Sequence, residues 1–248
     1  MSGHSKWSTI KNKKGVADSK RGKIFTKHAK LIYISARDGG VDPDMNPNLR
    51  TAILNAKADN VPNVNIDKAL KKASGDKGGA KMEEIMYEGF GPDGTAFYIQ
   101  SITDNKNRSF SSIKTAFTKS GGTMGSAGSV AWMFEKKGII LAKNDSVDQE
   151  NAELLAIDAG CEDIYLGDEF YEIITDATDL MKVRSNLENA GFEVKKSEQS
   201  FIAKEQLNVE DLEVAKKLIH INESVEDLED VDTVYSNFDI DDSIVDQL

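Results

Sequence analysis

The alternation that repeats between residues 138 and 194 constrains this chain more than any other feature. Apolar runs of strand period fall at 138–142, 163–166 and 170–175, and another opens at 192–194. Runs of helical period fill 148–159 and 180–190 between them. The order βαββαβ is that of a ferredoxin-like split βαβ unit. Ahead of it, strands are expected at 85–88 and 95–100, joined by a tight turn over Pro92-Asp93-Gly94. A helix with Phe110, Ile113 and Phe117 on one side follows, ending at Gly121-Gly122, and then a strand over 130–134. A helix over 209–221 and a strand over 231–238 come last. These outer pieces are expected to complete one sheet, which makes the ferredoxin-like unit an insertion.

The first third has a different period. Phe25, Ala29, Ile32 and Ala36 fall in a narrow arc of a helical wheel, while Lys20, Lys23, Lys27 and Lys30 fall nearly opposite. Gly39-Gly40 stops that helix, and Asn46-Pro47 reads as the N-cap and first position of the next. Leu49, Ala52, Ile53 and Ala56 give the second buried stripe; Ile66, Ala69, Leu70 and Ala73 give a third. The expected fold class is α+β. A basic arm (1–20) leads a small three-helix domain (21–81), a split α/β domain (82–133 and 206–248) and the inserted ferredoxin-like domain (134–205).

Charge is distributed unevenly. Residues 1–81 hold 17 Lys and Arg against 7 Asp and Glu, whereas 139–248 hold 8 against 29, so the net −11 conceals a basic front and an acidic back. What matters for a polyanion is the charge of one face, not the sum. No apolar run approaches the roughly 20 residues a membrane helix needs, and no membrane partner is expected. A single cysteine, Cys161, gives no disulfide framework. The first residues lack the apolar core of a secretory signal, so the expected location is cytoplasmic.

Catalytic and cofactor motifs are absent or out of context. Gly89-Phe90-Gly91-Pro92-Asp93-Gly94 matches G-x-G-x-x-G, yet a strand follows it where phosphate binding needs a helix N-terminus. The glycine-rich segment 121–129 lacks the Gly-Lys-Ser/Thr ending of a phosphate loop and reads as a flexible connection, with backbone amides available to a nucleic-acid backbone. His4, His28 and His220 share no ligand spacing with Cys161. Cys161 itself reads as a small, semi-buried residue. Glu223, Glu226, Asp227, Glu229, Asp230 and Asp232 form an acidic stretch without the spacing of a calcium loop. The expectation is no enzyme, no cofactor, no metal and no small-molecule substrate.

The positive signal is the basic front. Nine of the first thirty residues are Lys or Arg against one acid, Asp18, and Trp7 and Phe25 are interleaved with them. Such groups on phosphates release counterions and give salt-sensitive, largely sequence-blind affinity. Lys6, Lys11, Lys13, Lys14, Lys20, Arg21, Lys23, Lys27 and Lys30 are the expected phosphate contacts, with Trp7 stacking on an unpaired base. Lys106 and Arg108, where a strand meets a helix, form a second expected anchor.

Several separated motifs resemble the YebC family. They are Gly3-His4-Ser5-Lys6-Trp7 with Ile10-Lys11, Arg21-Gly22-Lys23-Ile24-Phe25-Thr26-Lys27, Gly39-Gly40-Val41-Asp42-Pro43 and Tyr87-Glu88-Gly89-Phe90-Gly91-Pro92-Asp93-Gly94. Thr103-Asp104-Asn105-Lys106-Asn107-Arg108, Gly128-Ser129-Val130-Ala131-Trp132-Met133-Phe134 and Val234-Tyr235-Ser236-Asn237-Phe238 continue the match. The resemblance implies a helical domain and two α/β domains, and a regulator of transcription that binds DNA. Other members resemble ribosome-associated translation factors, which would place rRNA in the same role. His28-Ala29-Lys30-Leu31 departs from the many relatives that carry an acid in the first helix, and it raises the local positive charge.

Overall fold

The computed structural model describes residues 18–75, 82–167, 169–245 and 247–248, with side chains of 18–21 and 242 outside that description. In chain order it begins with helices α1 (Asp18–Gly39), α2 (Pro47–Ala58) and α3 (Asn63–Gly75). Strands β1 (Glu83–Phe90) and β2 (Ala96–Thr103), helix α4 (Lys106–Lys119) and the short strand β3 (Thr123–Met124) follow. Next come β4 (Phe134–Lys143), α5 (Gln149–Ala159), β5 (Asp163–Leu166), β6 (Phe170–Asp176), α6 (Leu180–Asn189) and β7 (Val194–Ala203). The chain closes with β8 (Leu207–Val209), α7 (Leu212–Glu226), β9 (Val231–Ser236), β10 (Phe238–Ile240) and α8 (Asp242–Val245). The fold is α+β, and the described chain divides into two compact units.

One unit comprises 82–135 and 202–248. Its sheet runs β3-β1-β2-β9 with antiparallel neighbours throughout, and β8 and β10 form a separate parallel pair. Period-two alternation in β2 sends Phe97 and Ile99 into a core with Ile113 and Phe117 of α4 and Leu218 and Ile221 of α7. Two places in the backbone must be glycine for that core to close, because a Cβ at Gly89 or Gly122 would fall 2.6 or 2.5 Å from the Phe117 ring. The turn over Pro92–Gly94 is tight, with Asp93 and Gly94 both at positive φ and the Gly91 amide donating to the Thr95 carbonyl at 2.8 Å.

The other unit comprises 21–75 and 136–201, so the three helices share it with the ferredoxin-like segment. The sheet order β5-β6-β4-β7 is that of the ferredoxin-like arrangement. Ile140, Ala142, Tyr171 and Ile173 from its strands pack against Ala152, Ala156, Val183 and Leu187 from α5 and α6. The helices bury the expected stripes: Ile32, Ala36, Leu49, Ala56, Ile66 and Ala69, with Phe25, Ala29, Ile53 and Leu70 against them. Asn46 is buried and caps α2 by accepting from the Leu49 amide at 3.1 Å, while its own amide donates to the Ser35 and Gly40 carbonyls. Further along α2, the Asn55 amide donates to the Ser197 carbonyl at 2.6 Å, and its carbonyl accepts from the Ser197 amide at 3.2 Å. β7 is an edge strand, so Asn55 satisfies the N–H and C=O of Ser197 much as a neighbouring strand would.

Three local expectations give way. Residues 130–134 are not a strand: Ala131–Met133 is a 3₁₀ turn and β4 begins at Phe134, because the Val130 and Ala131 amides are drawn to the Glu88 carboxylate. The helix expected over 209–221 starts later, where the Asp211 carboxylate caps the Glu213 and Val214 amides, and residues 207–209 pair as a strand instead. Phe110 does not join Ile113 and Phe117 inside. It lies at the margin of the buried arc, 41% exposed, leaning on Tyr87 at 5.9 Å with the Lys114 ammonium 6.0 Å from its centroid.

Candidate nucleic-acid interface

The basic row begins on a helix whose opposite side is packed. Lys23 on α1 is exposed, Lys27 and Lys30 are half-buried, and Ile34, on the same arc one turn later, is buried. The cationic row therefore belongs to the first turns of α1 and closes into packing beyond Lys30. Lys20 and Arg21 lie in the same helix, with side chains outside the description. Lys6, Trp7, Lys11, Lys13 and Lys14 lie outside the described residues.

His28, within this row, is buried and its Nε2 meets Asp59 Oδ2 at 2.6 Å. That hydrogen bond, aided by the Lys196 charge and opposed by burial, holds the Asp59 carboxyl below its ordinary range. The pair resembles part of a catalytic relay, but His28 Nδ1 is buried with no hydrogen-bond partner among the described residues. Among the described residues no nucleophile is hydrogen-bonded to the imidazole, and the pair ties α1 to the end of α2.

The second expected anchor is occupied by acids of the protein itself. Lys106 Nζ lies 2.5 Å from Glu83 Oε2. Arg108 Nε and Nη2 donate to both oxygens of Asp230 at 3.0–3.1 Å, and Nη2 also reaches Asp104 Oδ1 at 2.9 Å. Asp230, followed by Asp104, raises the Arg108 guanidinium above its ordinary value. The amide at the start of α4 is capped by Asn105, whose Oδ1 accepts from the Arg108 N–H at 3.1 Å. The two cations and the cap at the start of α4 are thus paired within the protein.

The glycine-rich loop is likewise committed. Glu88, 7% exposed, accepts from the Gly128 amide at 2.7 Å through Oε1 and from the Val130 and Ala131 amides at 2.6 and 2.9 Å through Oε2. Burial pushes this carboxyl up, but the three backbone donors outweigh it and leave the group below its ordinary range. The loop already cradles an anion, and that anion is a side chain of the same unit. Sequence reasoning could not find Glu88, Asp230 or Asn55 in these roles, since each partner lies 40 or more residues away.

Elsewhere, Cys161 is half-buried, its thiol pushed up to about 11 by burial and the nearby Asp163 charge. No group of three or more His, Cys, Asp or Glu among the described residues is placed to hold a metal ion. No helix among them is long and apolar enough to cross a membrane.

Comparison with known proteins gives the chain its relatives. A family described as the TACO1/YebC protein N-terminal domain matches residues 5–76, and one described as the TACO1/YebC second and third domain matches 82–238. A probable transcriptional regulatory protein of Fusobacterium nucleatum is 45% identical, with all of both chains covered. One of the same description from Desulfotalea psychrophila is 46% identical over all of this chain and 99% of its own. The crystal structure of a conserved hypothetical protein from Aquifex aeolicus, 39% identical, superposes with a TM-score of 0.90 over 97% of this chain and 99% of that one. With near-complete coverage by both domain families and full-length identity near 45%, the chain belongs to the TACO1/YebC family.

Proposed function

We propose that this protein is a non-enzymatic, nucleic-acid-binding regulator of gene expression, acting on DNA to regulate transcription. The observation that carries the reading is the row of Lys20, Lys23, Lys27 and Lys30 along α1, opposite the packed Phe25, Ala29, Ile32 and Ala36. A helix that packs one side and carries lysines along the other fits a phosphate backbone. The names of the relatives, probable transcriptional regulatory protein, support the regulatory part. In the sequence Lys6, Lys11, Lys13, Lys14 and Arg21, with Trp7 among them, continue the same basic run, and they are proposed as further contacts.

Replacing Lys20, Lys23, Lys27 and Lys30 by Ala tests the row directly. Binding to duplex DNA should weaken, and its logarithmic salt dependence should flatten by about 0.9 for each phosphate no longer neutralised. An unchanged slope removes the row from the interface. Ultraviolet crosslinking in cells, followed by sequencing of the bound nucleic acid, identifies the target. Reads on a few promoter DNAs are expected; reads concentrated on ribosomal RNA would instead make the protein a ribosome-associated translation factor.

A further inference from the structure

Between Asp104 and Glu135 the chain contains no acidic residue, although at the chain-wide frequency of 42 in 248 these thirty positions would hold about five. The run carries Lys106, Arg108, Lys114 and Lys119, and it includes α4, β3, the glycine-rich loop and the turn at Ala131–Met133. All of it belongs to one compact unit.

Helix α4 buries only a narrow stripe, Ser109, Ile113 and Phe117. Asn107, Ser111, Thr115 and Thr118 are exposed and share the middle of the outward arc. Lys114 flanks this crest on one side, and Arg108 and Lys119 flank it on the other. Acids approach the first turn, where Glu83 meets Lys106 and Asp104 and Asp230 meet Arg108. In the last two turns the exposed side chains are Lys114, Thr115, Thr118 and Lys119, with no acid among them. Hydroxyl and amide side chains beside lysines are the groups that contact phosphate oxygens.

At the other end of the run, Trp132 is 65% exposed and held in place. Its Nε1 donates to the Ser129 carbonyl at 3.1 Å, and the turn beneath it is pinned through the Val130 and Ala131 amides to Glu88. The indole N–H is thus satisfied within the protein, so the exposure of the ring does not serve to hydrate it. Exposed Ser126, Ala127 and Gly128 precede it, and the exposed Lys204 bonds through its amide to the adjacent Met133 carbonyl at 2.9 Å. A flat ring beside small polar residues and a cation is what an unpaired base stacks on.

We propose that residues 105–134 form a second nucleic-acid surface, on which the outer face of α4 meets phosphates and Trp132 stacks on an unpaired base. The proposal rests on the nucleic-acid reading above and adds that the ligand presents a single-stranded segment.

The test uses the full-length protein with a labelled unstructured 20-mer DNA, the same sequence as RNA, and its duplex. Trp7→Phe leaves Trp132 as the one indole, and its fluorescence should be quenched by either single strand and not by the duplex. Trp132→Ala should weaken single-strand binding about ten-fold or more without changing the salt slope. Lys114→Gln with Lys119→Gln should weaken binding to all three ligands and reduce the slope, by about 0.7 for each phosphate released on single strands. Unaltered thermal melting of the Trp132→Ala and Lys114→Gln/Lys119→Gln variants, both changed at exposed positions, separates these losses from misfolding. Unquenched Trp132 overturns the base contact, and an unchanged slope overturns the phosphate contact. Failure of the unaltered protein to bind any of the three overturns the nucleic-acid reading itself, a result distinct from both.

Discussion

Glu88 is an acid on a half-covered strand, and it does more for its unit than its identity suggests. Its carboxylate stands where a bound anion would sit, so removing its charge leaves three amides, that of Val130 buried, with a weaker acceptor. Glu88→Gln should cost about 1–3 kcal/mol in urea unfolding, since the new amide presents N–H groups to donors. The pH dependence follows from its lowered value. A depressed carboxyl stabilises the fold fully above the ordinary carboxylate range and loses that effect as pH falls through the folded-state value. Thermal melting should therefore drop on acidification below about pH 4.5, and the drop should be shallower in Glu88→Gln. Cys161 shows the opposite direction. With its thiol raised to about 11, alkylation by iodoacetamide should be slow at pH 7.5 and accelerate with rising pH.

At the scale of elements, the link between α2 and β7 is the clearest point of leverage. Asn55→Ala leaves the amide and the carbonyl of Ser197 without the partner that covers them, two groups at about 1–3 kcal/mol each when buried and unmade. Chemical denaturation should show a loss of that order. Asn55→Asp should do no better, because a carboxylate cannot donate to the Ser197 carbonyl. Element types were largely readable in advance because periodicity is local: the stripes of α1 to α3 and the βαββαβ order need only their own residues. What escaped were places set by distant partners. Residues 130–133 turn because Glu88 lies across from them, and Phe110 stays outside because Tyr87 and Lys114 hold it at the rim. The lysine row was legible as charge, but the pairing of Arg108 with Asp230, 122 positions away, was not.

Across the whole molecule, the basic front and acidic back are the two ends of one chain, yet the compact units do not follow that division. The helices of 21–75 share a unit with the acidic segment 136–201. Hydrogen exchange should register this partition. In Asn55→Ala, protection should fall together in 21–75 and 136–201 and stay unchanged in 82–135 and 202–248. Independent loss in the helices alone would contradict a shared unit. The same clamp has a consequence in time. Asn55 precedes Ser197 by 142 residues, which at roughly 5–20 residues per second is about 7 to 28 s of synthesis. The helix that shields the sheet is made before the strand it shields, so β7 leaves the ribosome with its cover already waiting. A gene with the helices moved to the end would express the same contacts in the reverse order, and each nascent chain would carry an open, adhesive edge until synthesis was nearly over.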